Sequence, residues 1–178
     1  MARDKTTNYT DLIYIGVGTN LGDRLHNIQS AIEELKAMNI VVIRTASIYE
    51  TEPWGFETSD TFLNTVFECS SSMNAMDCLK ALQFVEKKMG RKKKLKIGYE
   101  SRVIDLDILL FKNQQINLIE LTIPHPYLTD RQFVIIPMDE LVNDTFFTSL
   151  STNFTELKNR FKDLKTPFVV HYPPLVNE

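Results

Sequence analysis

Apolar and polar positions alternate in blocks that change period along the chain. Residues 12–17 (LIYIGV) are a continuous apolar, β-prone run and predict a buried strand. The segment Gly18-Thr19-Asn20-Leu21-Gly22-Asp23 then reads as a turn. Leu25, Ile28, Ile32, Leu35 and Met38 follow at spacings of three and four, which places them on one helix face, with Asp23 positioned to cap the first turn. Residues 40–49 are rich in Val, Ile and Thr and predict a second strand, and residues 50–60 a loop. Residues 62–69 predict a third strand with Leu63, Val66 and Phe67 as its apolar part. A second helix starts after Asn74, carries Met76, Leu79, Leu82, Val85 and Met89 along one side, and closes at Gly90. After a basic connection over 91–101, residues 103–111 predict a fourth strand.

The order β-α-β-β-α-β predicts an α+β fold: a ferredoxin-like core with helices packed on an antiparallel sheet in αβα layers. Beyond it, residues 115–125 read as extended and irregular. Helices are expected over 127–141, perturbed by Pro137, and over 154–164. The tail, 171–178, holds two prolines and is expected to have little regular structure.

A chain of 178 residues fits a single domain, 1–178, with its core over about 11–165. Hydrophobic residues make up 43% and charged residues 24%, as in an ordinary globular protein. The net charge of −3 gives no sign of a nucleic-acid or membrane partner. The two cysteines, Cys69 and Cys78, are too few for a disulfide framework and lack metal-ligand spacing, so they read as buried thiols in a reducing compartment. The first eleven residues have no apolar leader core, and no apolar run approaches the ~20 residues of a membrane helix. A cytoplasmic monomer is expected.

Four segments carry candidate chemistry. In Arg102-Val103-Ile104-Asp105-Leu106-Asp107-Ile108 the strand period turns Asp105 and Asp107 to one face, with Cα atoms about 6.5 Å apart. Two such carboxylates repel each other, and a hard cation relieves the repulsion; Mg²⁺ is typically held by one or two carboxylates plus substrate phosphates. Two ions about 3.5–4 Å apart suit phosphoryl chemistry. The same pair also reads as acids on a solvated sheet face. Arg91-Lys92-Lys93-Lys94-Leu95-Lys96 is a basic loop leading into this strand, either solvated surface or a grip for a polyphosphate. Thr122-Ile123-Pro124-His125-Pro126, with Arg131 and Phe133, presents a histidine between prolines. Glu50-Thr51-Glu52-Pro53-Trp54-Gly55-Phe56, with Phe62 and Asn64, could hold a flat heterocycle between rings while the amide reads its edge.

Taken together, these segments resemble the 6-hydroxymethyl-7,8-dihydropterin pyrophosphokinase family from about Leu12 to Leu141. The matching stretches are Tyr14-Ile15-Gly16-Val17-Gly18-Thr19-Asn20-Leu21-Gly22-Asp23, Ser47-Ile48-Tyr49-Glu50-Thr51-Glu52-Pro53-Trp54-Gly55, Phe62-Leu63-Asn64, Arg102-x-x-Asp105-Leu106-Asp107, and Ile123-Pro124-His125-Pro126 with Arg131 and Phe133. The resemblance implies transfer of diphosphate from ATP to the pterin alcohol, with release of AMP. It implies that Asp105 and Asp107 hold two Mg²⁺ ions. It also implies that Glu86, Arg91, Lys93, Arg102, Ile108, Thr122, His125 and Arg131 face ATP, with Arg91, Arg102 and the aspartates catalytic. Thr51, Pro53, Gly55, Phe62, Asn64 and Phe133 would hold the pterin, and the loops 50–60 and 91–101 would close over the site.

The sequence departs from the family in two places. Gly98-Tyr99-Glu100-Ser101-Arg102 lacks the proline usual before the signature, and Glu120 stands where some members have a basic residue. Two other readings stay open: an RNA-binding module on the same frame, opposed by the lack of an adjacent aromatic platform, and an inactive scaffolding relative.

Overall fold

Strand β1 (Ile13–Thr19) is an inner strand of the sheet, paired on both sides, and its alternation organises both layers of the molecule. Ile13, Ile15 and Val17 face one layer, whereas Tyr14 faces the other, together with Gly16 and Gly18. The computed structural model describes residues 11–53, 60–91, 101–161 and 169–176.

Helix α1 (Arg24–Ala37) starts where Asp23 accepts the His26 N–H, and buries Ile28, Ala31 and Leu35. Strands β2 (Val41–Thr45) and β3 (Ile48–Thr51) lie along successive halves of β4 (Phe62–Ser70), which runs antiparallel to β1. Helix α2 (Ala75–Lys88) is capped by Asn74, which accepts the Asp77 N–H, and ends at Gly90, whose φ of +96° is the left-handed conformation glycine adopts readily. Strand β5 (Asp105–Phe111) flanks β1 on its other side. A small hairpin, β6 (Ile116–Asn117) and β7 (Thr122–Ile123), precedes α3 (Gln132–Val142) and α4 (Phe154–Asn159). The last strand is β8 (Val169–Tyr172).

The sheet order β5-β1-β4-β3-β8, with β2 also on β4, is that of the expected α+β, ferredoxin-like frame extended by one edge strand. Two apolar cores make the αβα layers. Leu35, Leu82 and Val85 from α1 and α2 pack on Ile13, Ile15 and Ile108. Ile135, Met138, Phe154 and Leu157 from α3 and α4 pack on Tyr14, Val66 and Leu110. Each fully buried aliphatic side chain contributes about 1.5–3 kcal/mol. A bulge opposite Tyr14 and Ile15 sends both Leu109 and Leu110 into the second core.

Several expected elements differ in the fold. The strand over 40–49 is two strands, broken at Ala46 and Ser47, where the Ser47 N–H turns to the Glu140 carboxylate at 2.8 Å. The extended 115–125 segment forms the β6–β7 hairpin. The helix expected over 127–141 starts only at Gln132. Pro124 and Pro126 fix the chain ahead of it, residues 126–130 form turns, and the helix then runs through Pro137. α4 spans six residues of the expected 154–164, of which 162–164 lie outside the described residues. The tail is not irregular throughout: β8 pairs with the open edge of β3, and the Thr45 hydroxyl accepts the Leu175 and Val176 N–H groups at 2.8 and 3.2 Å.

Cys69 and Cys78 are free and buried, and burial pushes the Cys78 thiol up to about 11. Among the described residues no helix is long and apolar enough to cross a membrane.

Candidate active site

The face of the sheet shared with α3 is left partly open, forming a cleft of about 240 Å³. Its floor is glycine. Gly18 pairs with Asp105 on one side and Asn64 on the other, and Gly16 pairs with Asp107 and Val66. A Cβ on Gly18 would sit 3.1 Å from the Asn64 Oδ1, and one on Gly16 would sit 3.2 Å from Leu109. A side chain at either position would fill the floor or displace its neighbours. Asp105, Gly18 and Asn64 thus form one row across three adjacent strands, spanning roughly 10 Å. Carboxylates stand at one end of the row, an amide and rings at the other.

On the β5 side, Asp105 and Asp107 share the cleft face, as the strand period requires. Asp105 is bracketed by two guanidinium groups: Arg91 at 2.6 Å on Oδ1, and Arg102 in close contact with Oδ2. Asp107 lies 3.8 Å from Arg131 and 4.0 Å from the His125 Nε2. Its side chain keeps 42% of its surface open to the cleft. Even so, the surrounding protein withdraws enough water, with the Asp105 charge adding to the effect, to push its pKa up to about 6.

Arg102 is fixed from behind. Its N–H donates to the Asn20 Oδ1 at 2.7 Å, its carbonyl accepts the Asn20 N–H at 3.1 Å, and the Asn20 Nδ2 donates to the Ser101 hydroxyl at 2.9 Å. Ser101, where the family's proline is missing, therefore has a partner of its own.

Glu86 stands behind Arg91 rather than in the cleft. It accepts the Leu106 N–H at 2.8 Å and holds the Arg91 guanidinium. Burial pushes its carboxyl up to about 7, against the pull of Arg91.

The His125 N–H donates to the Leu109 carbonyl at 2.9 Å, which ties the loop to β5. The His125 Nδ1 accepts the Tyr127 N–H at 3.2 Å, which leaves the proton of the neutral ring on Nε2, facing Asp107. Burial, with help from Arg131, lowers the His125 pKa to about 4, so the ring is neutral near pH 7. The Arg131 guanidinium lies over the Tyr127 ring at 5.2 Å and the Phe133 ring at 5.7 Å.

On the β4 side, Phe62, Asn64, Thr51 and Phe133 line the cleft. The Asn64 Nδ2 donates to the Thr51 hydroxyl at 2.6 Å, which turns Oδ1 toward Gly18.

The structure therefore brings together Arg91, Arg102, Asp105, Asp107, His125, Arg131, Thr51, Phe62, Asn64 and Phe133. It does not bring in every expected residue. The Ile108 side chain belongs to the helix-facing core, and Thr122 is exposed on β7 outside the cleft. Pro53 is half-buried beside the cleft without lining it. Lys93 and Gly55 lie outside the described residues, as do most of the two loops expected to close. Sequence reasoning missed Tyr127, assigned there to a helix, and Asn20, read as a turn residue. A turn aromatic two residues after a histidine and an Asn at a strand end were the available signals.

Among the described residues no group of three or more His, Cys, Asp or Glu could by itself hold a metal ion. Two hard carboxylates on one face, one of them with a raised pKa, nevertheless fit Mg²⁺ with phosphate and water completing its shell.

The sequence pattern of 7,8-dihydro-6-hydroxymethylpterin-pyrophosphokinase matches residues 14–143. A 2-amino-4-hydroxy-6-hydroxymethyldihydropteridine pyrophosphokinase of Aquifex aeolicus is 39% identical over 129 residues, 72% of this chain and 79% of the relative. The Bacillus subtilis protein of that name is 36% identical over 132 residues, covering 74% and 78%. In the crystal structure of an HPPK-DHPS in complex with substrates, a likeness with TM-score 0.68 and 13% identity covers 84% of this chain and 43% of the other. Wild-type Plasmodium falciparum HPPK-DHPS gives 0.66 and 15%, covering 84% and 44%. At such identities the structures establish the fold, and this chain spans less than half of theirs.

Proposed function

The chain belongs to the 7,8-dihydro-6-hydroxymethylpterin-pyrophosphokinase family, pyrophosphokinases of folate biosynthesis, and we propose that it transfers the terminal diphosphate of ATP to the hydroxymethyl group of 6-hydroxymethyl-7,8-dihydropterin. The alcohol oxygen forms a bond to the β-phosphorus, the bond from that phosphorus to the bridging oxygen of the α-phosphate breaks, the alcohol loses its proton and AMP leaves.

The row Asp105–Gly18–Asn64 carries this reading. A flat ring held by Phe62, Phe133 and the Asn64 amide on the β4 side would lie over the glycine floor, with its substituent reaching toward β5. Arg91 and Arg102, with Arg131 and the His125 Nε2–H, would hold the phosphates. Glu86 aligns Arg91, and Lys93, Ile108, Thr122, Pro53 and Gly55 retain only the roles the family implies. Asp105 and Asp107 would hold two Mg²⁺ ions, which when bound neutralise phosphate charge. Positioning and charge neutralisation supply the acceleration, since no residue needs to form a covalent intermediate.

The reading has the protein act as a cytoplasmic monomer on these two small molecules, without nucleic acid or membrane. It is supported over an RNA-binding module because α3 and α4 cover part of the sheet face such a module would use, and the open part carries two carboxylates. AMP release from ATP in Mg²⁺, with and without the pterin, tests it. We expect pterin-dependent AMP that disappears in folded Asp105→Ala. Absence of AMP from the folded wild type would point to an inactive relative.

A further inference from the structure

Behind the ring side of the cleft, on the opposite face of the sheet, Arg24 joins three chain segments. Its Nη1 donates to the Glu50 Oε1 at 2.8 Å, to the Thr61 carbonyl at 3.0 Å and to the Thr61 hydroxyl at 2.9 Å. The Thr61 hydroxyl in turn donates to the same Glu50 oxygen at 2.6 Å. Arg24 is the first residue of α1, and that helix end is itself fixed: Asp23 caps it, and the Asn27 Nδ2 donates to the Leu21 carbonyl at 2.8 Å and the Thr19 hydroxyl at 3.2 Å. Glu50 and Thr61 flank the final rung of the β3–β4 ladder, Thr51 opposite Phe62. That rung and its neighbour Asn64 hold the ring side, and on the cleft face the Asn64–Thr51 bond ties them together. The rung is thus gripped from both faces of the sheet.

We propose that Arg24 is a positioning residue for the pterin subsite: through Glu50 and Thr61 it fixes the end of the β3–β4 ladder, and so sets the spacing of Thr51, Phe62 and Asn64. This rests on the proposed function. The Arg24 and Glu50 side chains keep 27% and 30% of their surface exposed, and ion pairs that open to water add little to global stability. The clasp acts locally, on a terminal rung that would otherwise fray. It lies at the β3–β4 end of the sheet, with β1 between β4 and the carboxylate strand β5, so its loss should affect one substrate and not the other.

The test compares wild type, Arg24→Met, and the charge-exchanged pair Arg24→Glu with Glu50→Arg, in the full chain. We expect Arg24→Met to raise the pterin KM on the order of tenfold, to leave the ATP KM within about twofold, and to keep the melting temperature within a few degrees. The exchanged pair should recover most of the pterin KM. Amide hydrogen exchange supplies a readout independent of turnover: exchange at Thr51 and Phe62 should quicken in Arg24→Met while the centre of β4 stays protected. An unchanged pterin KM, or equal rises for both substrates, would overturn the proposal, as would unchanged exchange at the rung. Should the wild type show no pterin-dependent AMP release, the functional reading fails, and the exchange experiment alone decides for or against the clasp.

Discussion

On the β5 side of Gly18 the cleft is built from charge; on the β4 side it is built from rings and one amide. The charged side is held by ion pairs that substrate phosphates can take over. Arg91 and Arg102 lie on Asp105 at distances they could equally keep to a phosphate oxygen. The ring side is held by contacts that the ligand does not displace: the Asn64–Thr51 bond within the sheet on one face, and the clasp from Arg24 of α1 to Glu50 and Thr61 on the other. The lesson is one of division: a flat, neutral ligand needs a wall that does not move, and a polyphosphate needs a set of cations that can be re-partnered. The glycine row between them lets one molecule reach from one side to the other.

That division can be broken from either side. Asp105→Ala is expected to lower turnover on the order of 10³-fold, while direct titration shows pterin affinity within a few-fold of wild type. Asn64→Ala and Phe62→Ala should do the reverse, raising the pterin KM roughly 10- to 100-fold with the ATP KM little changed in steady-state assays. Asn20→Ala removes the two side-chain bonds that hold the Ser101–Arg102 segment, leaving only the main-chain bond between Asn20 and Arg102, and should raise the ATP KM about tenfold; Ser101→Ala, which loses one of the two, should change it by less.

A further expected effect falls on stability rather than on turnover. The His125 pKa is lowered from 6.5 to about 4, chiefly by burial. A depressed value in the folded state means that the unfolded chain takes up the proton first. Its contribution is therefore fully present above about pH 6.5 and is lost as pH falls through 4, amounting to at most about 3 kcal/mol. Chemical unfolding at several pH values should show the gap between wild type and His125→Asn closing over that window. Asp107 and Glu86 are raised, so their sign is opposite: each favours the folded state at low pH and loses that contribution as pH rises through about 6 and 7 respectively.

How far the sequence reveals this arrangement depends on whether the signal is local. Asp105 and Asp107 stand out because two acids at strand period interrupt an apolar run. The helix faces of α1 and α2 and their caps, Asp23 and Asn74, are equally plain, because capping acts within three residues. Gly16 and Gly18 carry no such mark: a glycine in a strand signals weakness until the neighbours opposite are known, and here they are Asp107 and Asp105. β8 is hidden for a related reason. Its residues precede two prolines, and only the open edge of β3, more than a hundred residues away in sequence, makes a strand of them. Arg24 and Glu50 look like ordinary surface charges until the fold brings them together at the end of the β3–β4 ladder. Tyr127 is lost to a helix pattern that begins only at Gln132.

The central claim is that the cleft moves a diphosphate as one unit from the charged side to the ring side. The most direct test is to incubate the protein with ATP, Mg²⁺ and 6-hydroxymethyl-7,8-dihydropterin and to identify all products by mass spectrometry and ³¹P NMR. The account predicts the pterin diphosphate and AMP in equal amounts, without ADP. A pterin monophosphate with ADP, or no phosphorylated pterin from folded protein, would contradict it.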